Sequence, residues 1–146
     1  MYSKKEEKLN IWSHAFGFIV FLFFGIEGIF KALKTDFKTG FIIGIYALSL
    51  WSLYAASTLY HSAPNPSIKR SRLRIFDHAA IFGLIAGSYT PFCIIGIGGS
   101  TGSQITLIVW IIALIGIILK VFFTGKYDKI STAMYLLMGW LIVFYW

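Results

Sequence analysis

Charge is scarce in this chain. Only 13% of its 146 residues are Asp, Glu, Lys or Arg, where an ordinary soluble domain carries about 25%. Thirty consecutive residues between Lys38 and Lys69 have no such side chain, and neither do forty-one between His78 and Lys120. A small water-soluble fold needs polar groups over most of its exterior, and these runs cannot supply them. A soluble enzyme is therefore excluded. With 58% hydrophobic residues, so is a disordered segment. Cysteine is nearly absent as well. Cys93 stands alone inside an apolar run, which excludes a disulfide scaffold and leaves the redox compartment unread. No secretory leader is evident. The first apolar run starts near Ile11, continues for about twenty residues and lacks a cleavage site. No internal repeat stands out.

What is there is membrane-spanning sequence. About twenty apolar residues carry a helix across about 30 Å of hydrocarbon. Five stretches qualify: 11–30, 39–61, 75–97, 105–123 and 130–146. Pro64 and Pro66 stop the second, and Pro91 is expected to kink the third. Gly96 to Gly102 (GIGGSTG) is the plausible turn inside the longest uncharged run, and Lys120 is expected to snorkel to the interface. Together these predict an all-α, polytopic transmembrane helical bundle in one domain. Thirteen basic residues outnumber six acidic ones, but they punctuate apolar runs and form no continuous face, so nucleic acid is not an expected partner. Counted at alternate connections, ten Lys and Arg lie on one side and three, Lys31, Lys34 and Lys38, on the other. The positive-inside bias predicts a cytoplasmic amino terminus. The sequence stops at Trp146 within apolar residues and without a polar tail, and a truncated chain is the expectation.

Five ionisable residues within these spans each ask for a reason: His14, Glu27, His61, Asp77 and His78. Topology places His61 and Asp77 at the same end of neighbouring antiparallel spans. Ser57 lies one turn deeper on the face of His61. Imidazole and carboxylate are usual ligands of a catalytic zinc, and Ser57 would orient a water or a substrate oxygen beside it. The alternative is that His61 and Asp77 are interfacial polar groups, with Ser57 bonding back to the Leu53 carbonyl. His78 follows Asp77, points about 100° away around the helix, and is expected to touch a neighbouring helix or headgroups. His14 reads as a partner of this cluster or as an interfacial cap. Glu27 lies toward the opposite end, where a channel would need it to face a lumen.

These residues carry a family pattern. Glu6 to His14 (EEKLNIWSH) resembles the opening of the first span in bacterial hemolysin III proteins, whose wider family includes the adiponectin and progestin receptors. Ala56 to Ser62 (ASTLYHS) resembles that family's serine-x-x-x-histidine motif. Phe76 to Phe92 resembles the motif that follows it. The resemblance implies a seven-helix fold with a cytoplasmic amino terminus. It also implies a zinc site in which the metal ligands include His61 and Asp77, joined by two histidines of a later span. Here no histidine follows His78, so this chain is expected to hold an incomplete site and resembles the first five spans. The resemblance implies a zinc-dependent membrane hydrolase of amide or lipid substrates. The alternatives are a pore-forming or membrane-perturbing hemolysin, and a receptor-like protein with structural zinc. Expected partners are membrane lipids and a second copy of the chain, in the cell membrane.

Overall fold

The computed structural model describes residues 3–145; Met1, Tyr2 and Trp146 lie outside the described residues. Within them the protein is all-helical. Helix α1 runs Lys4–Leu33, α2 Phe37–Ser62, α3 Ile68–Pro91, α4 Gly99–Phe123 and α5 Asp128–Trp140. A π-helical stretch, Phe92–Ile97, continues α3, and a 3₁₀ stretch, Leu141–Tyr145, continues α5. Short connections make successive helices antiparallel neighbours, with α1 on α2, α2 on α3 and α3 on α4. Four helical segments are long and apolar enough to cross a membrane. Hydrocarbon offers the backbone no partners, so an apolar run of this length satisfies itself as a helix.

The helices overrun the apolar stretches because polar residues cap them. Ser3 and Glu6 form a reciprocal capping box at α1. The Asp36 carboxylate accepts from the Thr39 amide and hydroxyl at 2.9 and 2.7 Å, which holds its pKa below the usual value. Ser67 accepts from the Arg70 amide at 3.0 Å. Each cap satisfies an amide that has no carbonyl one turn earlier.

Two expectations need amending. The α-helical part of α3 stops at Pro91 and the chain widens into π-helical geometry after it, closing with the Gly98 amide on the Cys93 carbonyl at 2.9 Å. The turn is tighter than GIGGSTG suggests, with Gly98 and Gly99 at φ of 71° and 59°. That left-handed region favours glycine. The fifth stretch also differs from a simple span. The α-helical part of α5 has 13 residues, about 20 Å at 1.5 Å per residue. Tyr89 of α3 supplies the reason. Its hydroxyl donates to the Met138 carbonyl at 2.7 Å and accepts from the Ile142 amide at 3.2 Å. Those two backbone groups would otherwise bond to each other across one α-helical turn, and the inserted hydroxyl separates them.

The core lies among α3, α4 and α5, where Phe82, Cys93, Ile105, Val109, Ala113 and Met138 are fully covered. Small residues let the backbones approach. A Cβ at Gly87 would collide with Ser49, and one at Gly116 with the Phe82 ring. By contrast α1 buries little of its apolar window, and Trp12, Phe16, Ile19 and Phe23 face outward.

Candidate functional site

The up-and-down order brings the start of α1, the end of α2 and the start of α3 to one end of the bundle. His61, on the last turn of α2, is 9% exposed, and Ser57, one turn deeper, 5%. Both belong to the small set of α2 residues that face inward. Ser57 makes no side-chain hydrogen bond among the described residues, whereas Ser52, Thr58 and Ser62 on the same helix bond back to Leu48, Tyr54 and Thr58 carbonyls. The expected alternative, a bond from Ser57 to Leu53, is not formed.

The partner of His61 is a residue that sequence reasoning passed over. Nδ1 of His61 donates to Glu7 Oε2 at 2.7 Å. The other carboxylate oxygen of Glu7 accepts from Arg70 Nη2. Arg70 Nη1 donates to the Ala63 carbonyl at 3.0 Å, and its guanidinium lies 4.5 Å from the centroid of the Tyr60 ring. The first turns of α1 and α3 thus clamp the end of α2 through one carboxylate. The three side chains are 7%, 17% and 9% exposed in the order His61, Glu7, Arg70. Charge-assisted bonds of this kind are the strong ones when water is largely excluded. A signal did exist: Glu7 precedes His14 by two helical turns, on one face of α1.

His14 bonds within its own helix and lies beside His61. Its Nδ1 donates to the Asn10 carbonyl at 2.7 Å, and its ring stacks near His61 with centroids 6.1 Å apart. Asp77 is partly buried on α3 and has no side-chain hydrogen bond or ion pair among the described residues. The backbone carbonyl of neighbouring His78 accepts from the Tyr135 hydroxyl of α5 at 2.9 Å. Glu27 pairs with Lys31 one turn on at 2.7 Å, both side chains being well exposed. It lines no lumen.

A second charged cluster lies at the same end. Lys120 is 2% exposed, so it does not snorkel. Its ammonium donates to Asp128 Oδ1 at 2.7 Å, while Arg74 Nη2 donates to Oδ2 at 3.2 Å. The turn from α4 into α5 carries Asp128 back over Lys120, which gives the ammonium a partner inside the bundle.

With this geometry in place, the comparisons are decisive about family. Residues 2–146 match the family described as "Haemolysin-III related". The chain belongs to that family. It is 39% identical over 140 residues to "Hemolysin-3" of Bacillus cereus, covering 95% of this chain and 64% of that protein. It is 39% identical over 149 residues to "Hemolysin-3 homolog" of Bacillus subtilis (strain 168), covering 98% and 67%. The chain thus spans about two thirds of the length of these curated relatives. No solved structure matches.

A catalytic zinc takes three protein ligands and a water. His61 and Asp77 have suitable chemistry, but among the described residues no group of three or more His, Cys, Asp or Glu side chains is placed to hold a metal. By themselves, therefore, the described residues of this haemolysin III-like chain do not fit a catalytic zinc.

Proposed function

We propose that the chain is part of a zinc-dependent hydrolase of the cell membrane acting on amide or lipid substrates. In this reading His61 and Asp77 are two of the metal ligands. The remaining donors come from outside these 146 residues, in a longer chain or a second copy. The observation that carries the reading is the clamp on His61: a buried imidazole has its Nδ1 occupied by a carboxylate that is itself held by an arginine. Carboxylate partners of this kind orient metal-binding histidines. Ser57, buried one turn deeper without a side-chain hydrogen bond among the described residues, would orient a water or a substrate oxygen in this reading. The basic end faces the cytoplasm, following the ten-to-three distribution of Lys and Arg.

The test is zinc content in detergent, for the 146-residue chain and a form extended by the rest of a full-length relative. Each is measured with His61→Ala and Asp77→Ala controls. The short chain is expected to lose zinc on mild chelation, and the extended form to keep one equivalent that both substitutions abolish. An extended form without zinc would sink the hydrolase reading. Orientation is tested separately: a cysteine replacing Ser67 should be protected from outside reagents in intact cells, and one replacing Ser100 labelled.

The relatives' names favour a second reading, membrane lysis. Conduction needs a polar path through the bilayer. Here Ser49, Ser52, Ser88 and Thr90 spend their hydroxyls on carbonyls of their own helices. Planar-bilayer conductance by the purified chain would reverse the ranking.

A further inference from the structure

A cleft of about 420 Å³ opens at the basic end, between the last turn of α2 and the first two turns of α3. Its walls include Tyr60, Asn65, Ser67, Arg70, Ser71 and Arg74, and no carboxylate lines it. The two arginines are one helical turn apart and face it together. Their situations differ. Arg70 is 7% exposed and fully engaged, with Nη1 on backbone carbonyls and Nη2 on Glu7. It forms a fixed wall whose charge Glu7 balances. Arg74 is 40% exposed and donates one hydrogen bond, from Nη2 to Asp128. A guanidinium has five N–H donors, so Arg74 keeps several for a ligand.

Charge accounting points the same way. Asp128 is one carboxylate shared by two cations, Lys120 and Arg74, and the short bond at 2.7 Å goes to Lys120. Asp77, the next acid along α3, pairs with neither and does not line the cleft. The exposed Lys69 and Arg72 flank the same turns without any acid among them. The Tyr60 hydroxyl makes no hydrogen bond among the described residues, so the cleft has a neutral donor beside the under-balanced cation. An anion with several acceptor oxygens answers both features, and arginine recognises phosphate by paired N–H donors.

The surroundings choose the source of that phosphate. The cleft lies where α2 ends and α3 begins, at the margin of the apolar runs. Both helices are long and apolar enough to cross a membrane, so a phosphate held at this end of them sits at headgroup depth, where the acyl chains of the same lipid can lie along the apolar lengths of α2 and α3. We propose that this cleft binds the phosphodiester of an anionic phospholipid headgroup, with Arg74 as principal donor and the Tyr60 hydroxyl as second donor. The assignment is independent of the zinc reading, since no proposed metal ligand lines the cleft.

The experiment uses the 146-residue chain in nanodiscs of phosphatidylcholine alone or mixed equally with phosphatidylglycerol. Native mass spectrometry reads the lipid retained after release into detergent. Inorganic phosphate is titrated in the neutral discs with thermal stability as the readout. Wild type should retain phosphatidylglycerol in preference to phosphatidylcholine. Because it removes charge-assisted hydrogen bonds to the phosphate, Arg74→Ala should weaken retention roughly tenfold or more. Tyr60→Phe, which keeps the ring on Arg70, should weaken it roughly threefold, in keeping with the loss of one neutral hydrogen bond. Arg72→Ala removes the same charge from an exposed position outside the cleft and should leave retention unchanged. Equal losses in Arg72→Ala and Arg74→Ala, or no preference for the anionic lipid, overturn the proposal. Stabilisation by inorganic phosphate without lipid preference overturns it too, by assigning the site to a soluble anion.

Discussion

Two carboxylates at the same end of the bundle each bridge two basic side chains, and they do so in different environments. Glu7 joins His61 and Arg70 across sequence separations of 54 and 63 residues, and all three side chains are largely covered. Asp128 joins Lys120 and Arg74, but its own side chain is 45% exposed, and Lys120 lies only eight residues away. The first cluster ties three helices together around a buried imidazole. The second closes a local corner with water at its carboxylate. Burial, more than the number of ion pairs, decides what each is worth. Removing one partner of a covered pair strands the other charge, whereas water replaces a lost partner at an open one.

The largest effect should come from Glu7→Ala. It leaves Arg70 and His61 covered without their acceptor, and a loss of about 3 kcal/mol is expected, read as the midpoint shift in denaturant titration of the detergent-solubilised chain. Asp128→Ala should cost less, about 1 kcal/mol, because Lys120 can swing its ammonium toward the interface once unpaired. Equal costs for the two substitutions would break the comparison. The double variant Lys120→Met with Asp128→Ala sharpens it. Replacing a buried charge by an apolar side chain of similar reach should return stability to within about 1 kcal/mol of wild type. The smallest effect is a pH response. The hydrogen-bonded Lys120 ammonium holds the Asp128 carboxyl below its ordinary value of 3.8. A carboxyl depressed in the folded state contributes stability above its unfolded pKa and loses it as pH falls through the folded one. Thermal midpoints should therefore decline below about pH 4 more steeply in wild type than in Asp128→Asn. Parallel declines would remove Asp128 from the account.

Much of the candidate site was legible, and the reason is local. Ser57 and His61 share a face through helical spacing alone, and the structure buries both. Glu7 and Arg70 were not legible as their companions. Each sits among other charged residues near a helix start, and nothing in that composition distinguishes the charge that turns inward. Lys120 misled for a similar reason. A lysine near the end of an apolar run ordinarily snorkels, and only the chain's return through Asp128 gives it a buried partner.

The sequence by itself determined an all-helical bundle, and its first four apolar runs fall inside helical segments long and apolar enough to cross a membrane. Apolar runs of sufficient length leave the backbone no partner but itself, and Ser3, Asp36 and Ser67 cap three of the resulting helices through contacts three residues long. Tertiary structure alone decided which charges meet and where the last helix changes character. Glu7 finds His61, and the Tyr89 hydroxyl parts the Met138 carbonyl from the Ile142 amide. Both contacts join residues about fifty positions apart, so they exist only once packing has set the rotation of each helix about its axis. Hydropathy places a helix in the membrane; its neighbours decide which way its polar side chains turn.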